Sequence, residues 1–190
     1  FFILSLIASS QLNLISQFVY FLIIIPLLVS YNLYFKKLPL IGNIITSILM
    51  ASVFIFTELV ITKTIIQLFI PALLAFNLSF IRELIKDLHD YKGDLSCSMR
   101  TLPILLGIDK TCNYLSFYLI LSCVLFLTPY FLGIYSHIYL ITLIFLIEIP
   151  MIYSLLLLLK SRTIKTFRQM TKLYKLMTFL GLLVILASKF

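Results

Sequence analysis

Three aspartates, Asp87, Asp90 and Asp94, lie in the stretch RELIKDLHDYKGDLSCSMRTLPILLG, which runs from Arg82 to Gly107. Their spacing of i, i+3 and i+7 puts three carboxylates on one face of a helix. Gly93 can loosen or end that helix, which would leave Asp94 in a turn. Three like charges this close repel one another unless a cation neutralises them. Carboxylate oxygens suit hard cations, and Mg2+ in particular is held by one or two carboxylates together with substrate phosphates. Asp87, Asp90 and Asp94 are therefore candidate metal ligands, with Asp90 and Asp94 the candidates closest to the chemistry. Lys86, Lys92 and Arg100 are available to pair with the remaining oxygens of a phosphate or diphosphate. The competing reading is a solvated segment whose charges pair among themselves. Five acids and five bases between Arg82 and Lys110 allow it.

These ten charges stand out because the rest of the chain is apolar. Sixty-two per cent of the 190 residues are hydrophobic, 12% are charged, and the mean hydropathy is +1.15. Soluble domains carry about 25% charged residues, so the composition points to a membrane-embedded chain. Six long apolar runs follow one another, at about 17–34, 42–60, 64–85, 111–132, 138–159 and 173–188. Continuous runs without period-two alternation favour helices over barrel strands. The expected fold is an all-α polytopic transmembrane bundle, forming one membrane domain over residues 1–190. The opening run FFILSLIA is shorter than the roughly 20 residues a helix needs to span, and it lacks the basic flank of a signal peptide. It is expected to be the remainder of a further transmembrane helix.

Six spans alternate sides, and the charges test that order. The loops of one side hold Lys36, Lys37, the five bases from Arg82 to Lys110, and the six in KSRTIKTFRQMTKLYK (residues 160–175). That is thirteen of fifteen, against Lys63 and Lys189 on the other side. The positive-inside rule sets the aspartate segment in the cytoplasm, on a multi-pass protein of the cell membrane. This distribution explains the net charge of +8 without nucleic acid as a partner. The six-base segment is either an ordinary clamp of this kind or a cytoplasmic surface for anionic headgroups.

The aspartate stretch resembles the second aspartate-rich motif of the UbiA superfamily of intramembrane prenyltransferases. That motif has a DxxxD core with an earlier Asp, then a basic residue, Thr-Leu-Pro and Gly. Here these are Asp87, Asp90, Asp94, Arg100, Thr101, Leu102, Pro103 and Gly107. YNLYFKKLPLIGN is similar to the family's Tyr, basic pair and Gly-Asn signature, with Tyr31, Lys36, Lys37, Gly42 and Asn43. The resemblance covers essentially the whole chain. It implies nine transmembrane helices around a central cavity, of which this chain would hold six spans and an N-terminal stub. It also implies Mg2+, an isoprenyl diphosphate donor and a membrane-associated acceptor, with Lys36 joining the diphosphate contacts. The wording is closest to the branch that prenylates geranylgeranylglyceryl phosphate. Branches acting on quinone, haem or chlorophyll precursors carry related motifs. One departure matters: the family's first motif, NDxxDxxxD, is absent. Residues 1–80 contain no Asp, and their one acid is Glu58. The chain by itself is accordingly expected to be catalytically incompetent.

Other residues invite simpler readings. Glu148 sits mid-span, where an ionised carboxylate is costly, so a structural role is favoured over that of an acceptor-site base. His89 and His137 have no metal-site spacing, and His89 is expected to face away from the aspartates. Cys97, Cys112 and Cys123 form no CxxC pair. A small-solute transporter is the competing class, since intramembrane acids suit one. It is disfavoured because the charges cluster at the membrane surface.

Overall fold

The computed structural model describes residues 12–188, so the opening run and Lys189 lie outside the described residues. The described chain is a bundle of helices. Helix α1 spans Leu14–Leu33 and contains a π-turn at Tyr20–Ile24. After a 3-10 turn at Phe35–Lys37 come α2 (Ile41–Thr62) and α3 (Phe69–Ser96). A five-residue helix, α4 (Leu102–Leu106), leads into α5 (Ile108–Phe131). The last two are α6 (His137–Lys160), with a π-turn at Ile144–Glu148, and α7 (Ile164–Ala187). Five of these, α1, α2, α5, α6 and α7, are long and apolar enough to cross a membrane. The predicted span 64–85 overlaps α3 from Phe69 onward, its first five residues lying in the connection, and α3 is less apolar because its second half is charged.

Helix α3 organises the bundle, packing against α2, α5 and α7. Leu74, Leu78, Ile81, Ile85 and Leu88 recur at alternating steps of four and three and are buried. That stripe is the helix's core face. At about 1.5 Å per residue its 28 residues run roughly 42 Å, beyond a hydrocarbon layer of about 30 Å. The helix can therefore bury its first half among apolar neighbours and carry its charged half past the apolar layer. It continues through Gly93, so Asp94 is helical and does not sit in a turn.

At the opposite end of α2 and α3, Glu58 closes the connection. Its carboxylate accepts from the Thr64 hydroxyl and from the backbone N–H groups of Ile66, Gln67 and Leu68, at 2.7–2.9 Å. These donors would otherwise be orphans at the entry to a helix. The one acid of the first eighty residues thus serves the fold. Between α5 and α7, Arg162 donates to the carbonyl and carboxylate of Asp109 and to Asn113. The segment 164–175 is not a separate surface piece: it forms the first three turns of α7, which begins nine residues before the expected span.

Candidate functional site

Along one side of α3, Glu83, Asp87, Asp90 and Asp94 follow steps of four, three and four, and Lys86 stands beside them. This side lies two residues, or about 200°, around the helix from the core stripe. It faces the start of α2 and the turn before it. Together they enclose a polar cavity of about 220 Å³, which Tyr31, Lys36 and Asn43 also line. The turn lies close to α2 because Gly42 has no side chain. A Cβ there would meet the Phe35 carbonyl oxygen at 3.0 Å. Leu40, with φ of 60°, takes the strained corner that redirects the chain into α2. Lys36 is brought to the carboxylates by this packing.

The Asn43 side-chain amide donates to Asp87 Oδ2 at 2.8 Å, bridging α2 to α3. Burial pushes the Asp87 carboxyl up to about 7; the Asn43 hydrogen bond opposes that, while the charges of Asp94 and Glu83 add to it. Asp94 is also raised, first by burial and then by Asp90. A buried carboxyl beside other acids holds its proton more tightly in this way, and a cation entering the site would displace it. Lys86 Nζ lies 3.5 Å from Glu83 Oε2.

Five predicted residues, Lys36, Lys86, Asp87, Asp90 and Asp94, line this cavity. Lys92 and Arg100 do not; both are exposed. Lys92 is two residues past Asp90 and so points to the other side of α3. Arg100 lies beyond the helix end, where its neighbours Met99 and Thr101 turn inward instead. Nor does His89 face away: its Nδ1 lies 2.7 Å from Asp90 Oδ1. The ring is long enough to reach round to an adjacent residue. Among the described residues, no three His, Cys, Asp or Glu side chains converge closely enough to hold a metal ion by themselves. What the cavity offers is one or two carboxylates at a time, with Lys86 beside them and Lys36 opposite. That set fits Mg2+ completed by phosphate oxygens and water.

A second cavity, of about 420 Å³, lies in the same groove between α2 and α3, closer to the middle of the bundle. Met50 and Phe54 continue the α2 side beyond Asn43, and Leu78 and Ser79 continue the α3 side below Glu83. Leu143 and Ile147 of α6 and Phe179 of α7 complete an apolar chamber. Glu148 is buried in α6 with Oε1 unpartnered, and it lines neither cavity.

The sequence named Asn43, Tyr31 and Thr101 only as parts of a pattern, and it missed Glu83. Their neighbours in sequence are apolar or charged without period, and 44 residues separate Asn43 from Asp87.

The fold and the paired cavities define an all-helical integral membrane protein that presents carboxylates and lysines over an apolar chamber. The chain belongs to the UbiA prenyltransferase family, whose model matches residues 1–181. It is 31% identical over 165 residues to the digeranylgeranylglyceryl phosphate synthase of Methanosphaera stadtmanae, covering 87% of this chain and 58% of that one. It is 34% identical over 143 residues to the synthase of the same name from Haloquadratum walsbyi, covering 73% and 49% respectively. A solved structure from work on digeranylgeranylglyceryl phosphate synthase in membranes superposes with a TM-score of 0.81 at 30% identity. That match covers 99% of this chain and 67% of the other. The chain spans about half the length of the curated relatives it matches.

Proposed function

We propose that this chain belongs to a Mg2+-dependent prenyltransferase that moves an isoprenyl group from its diphosphate to a glyceryl phosphate acceptor such as geranylgeranylglyceryl phosphate. The observation that carries this reading is the stacking of the two cavities. A polar cavity lined by three aspartates and two lysines lies next to an apolar one along α2 and α3, with Arg82 lining the apolar cavity and Glu83 the polar one. A molecule with a diphosphate head and a hydrocarbon tail matches that arrangement end for end. The relatives' names and the family supply the acceptor class. Residues 1–190 act as one membrane domain, with the aspartates at the cytoplasmic face of the cell membrane. The one-sided distribution of basic residues supports that orientation.

In this reading Asp90, Asp94 and Asp87, the last held in place by Asn43, serve as metal ligands one or two at a time, with phosphate oxygens and water completing the set. Lys36 and Lys86 pair with diphosphate oxygens, stabilising the charge that grows as the bond from the allylic carbon to diphosphate breaks. Mg2+, when bound, supplies further positive charge to the departing group. The apolar chamber keeps water from the electron-poor carbon. The acceptor hydroxyl oxygen forms the new C–O ether bond as the bond from carbon to diphosphate breaks, and its proton passes to the departing diphosphate. Lys92 and Arg100 do not face the cavity and have no part in this account.

The test is isoprenyl transfer by the full-length protein in vesicles, with and without Mg2+. A glyceryl phosphate ether and an aromatic acceptor should be compared. Asp90→Ala and Asp94→Ala should each lower turnover by at least about a hundredfold. Metal-independent transfer, or full activity of both variants, would overturn the assignment. Preference for the aromatic acceptor would move the protein to a different branch of the family.

A further inference from the structure

Two cations line the apolar cavity: Arg82 from α3 and Lys175 from α7. Arg82 is the last cavity residue of α3 towards the aspartates, and Lys175 is the first of α7. Their levels can be matched through Gly181, where an added Cβ would lie 3.7 Å from the Leu78 side chain. From Leu78 to Arg82 is about 6 Å along α3, and from Gly181 back to Lys175 about 9 Å along α7. The helices run antiparallel, so both steps lead to the same end of the chamber. The two cations therefore stand on either side of its polar rim.

The rim is chemically distinct from the aspartate cavity. Among the described residues Glu83 is the one carboxylate within 4.0 Å of Arg82, and it also faces Lys86 at 3.5 Å. Arg82 consequently keeps most of its donors free. Lys175 has no ion-pair partner among the described residues. Nor do Lys172 and Arg168, which precede it on the exposed side of α7. Two cations that share a single distant carboxylate suit an anion that arrives without a metal, whereas the aspartates suit one that arrives with it.

We infer that Arg82 and Lys175 form a separate, metal-independent subsite, at the rim of the apolar cavity, for the phosphate of a lipid phosphomonoester. This deepens the functional reading above by assigning the acceptor's phosphate to the α3–α7 rim. The subsite leaves Lys36 and Lys86 to the donor. Lys172 and Arg168 form its approach, which gives the basic half of α7 a role beyond orientation in the membrane.

The probe is a single-chain glyceryl phosphate ether, with its phosphate-free counterpart as control. Binding is measured by native mass spectrometry of the full-length protein in neutral detergent containing a chelator. Lys175→Gln is at an exposed position and should fold. It should weaken binding of the phosphate lipid about tenfold and leave the phosphate-free lipid unchanged. Arg82→Gln should do the same, with Arg82→Lys restoring most of the affinity if packing is kept. Mg2+-dependent binding of an isoprenyl diphosphate should be unaffected by Lys175→Gln. The inference is overturned if Lys175→Gln weakens phosphatidylglycerol as much as the phosphomonoester, because that marks a general bilayer contact. Equal loss of diphosphate binding overturns it too, because the cations then belong to the donor site. If the wild type binds the phosphomonoester through these residues but shows no Mg2+-dependent diphosphate binding, the transferase reading fails and the subsite stands.

Discussion

Asp87 is the group through which pH should control this site. Its carboxyl is raised from 3.8 to about 7 by burial, with the Asn43 hydrogen bond holding it down and the neighbouring acids pushing it further up. Carbon-13 carboxyl shifts of the protein in micelles should show one aspartate titrating near pH 7 without metal. A hydrogen bond to a charged group contributes about 1.5–3 kcal/mol, and one pKa unit is about 1.4 kcal/mol. Asn43→Ala should therefore move the midpoint up by roughly one to two units. Asp94→Asn removes a like charge and should move it down. The metal must displace this proton. Below the midpoint, divalent-ion affinity should fall about tenfold per pH unit, or about fiftyfold between pH 7 and pH 5, and it should level off above. Mn2+ binding followed by electron paramagnetic resonance reads this directly, and Asp87→Asn should flatten the profile. Stability runs the opposite way to metal affinity. The folded value lies above the unfolded one, so the native state keeps a proton that the unfolded chain loses. The benefit is complete below about pH 4 and is lost as pH rises through about 7. An Asp87 midpoint below 5, or a downward shift in Asn43→Ala, would refute the argument.

Three further perturbations probe the frame around the site. Gly42→Ala forces a Cβ against the Phe35 carbonyl and must shift the turn carrying Lys36. The expected result is a cost of about 1 kcal/mol in unfolding and a few-fold weaker diphosphate binding by titration calorimetry. Ser122→Ala leaves the buried Asn77 Oδ1, now 2.9 Å from the Ser122 hydroxyl, without that donor. It should destabilise α5 against α3 by about 1 kcal/mol in detergent unfolding, with the metal affinity unchanged. Glu58→Gln removes the charge from a carboxylate holding four donors and should lower the unfolding midpoint. Being at the other end of α2 and α3, it should leave Mn2+ binding intact.

Local chemistry alone decided a good deal of this protein. Apolar runs long enough to span could only become helices, because a bilayer leaves backbone groups no water to bond. The aspartate spacing, which is a property of helical geometry, survived intact through Gly93. Where hydropathy misled, it was at ends: Lys and Arg interrupt an apolar run but are good helix formers, so α7 starts at Ile164 and α3 reaches Ser96. Side-chain reach and packing across the bundle decided the rest. Asn43 meets Asp87 because α2 lies against α3, and Lys36 faces the carboxylates because Gly42 lets the preceding turn come close. Lys92 is excluded by its angle on α3, and Arg82 and Lys175, more than ninety residues apart in sequence, meet at one cavity. None of these contacts has a local signal, since a polar residue's partner is fixed by which helices pack, and in what register, and not by its neighbours along the chain.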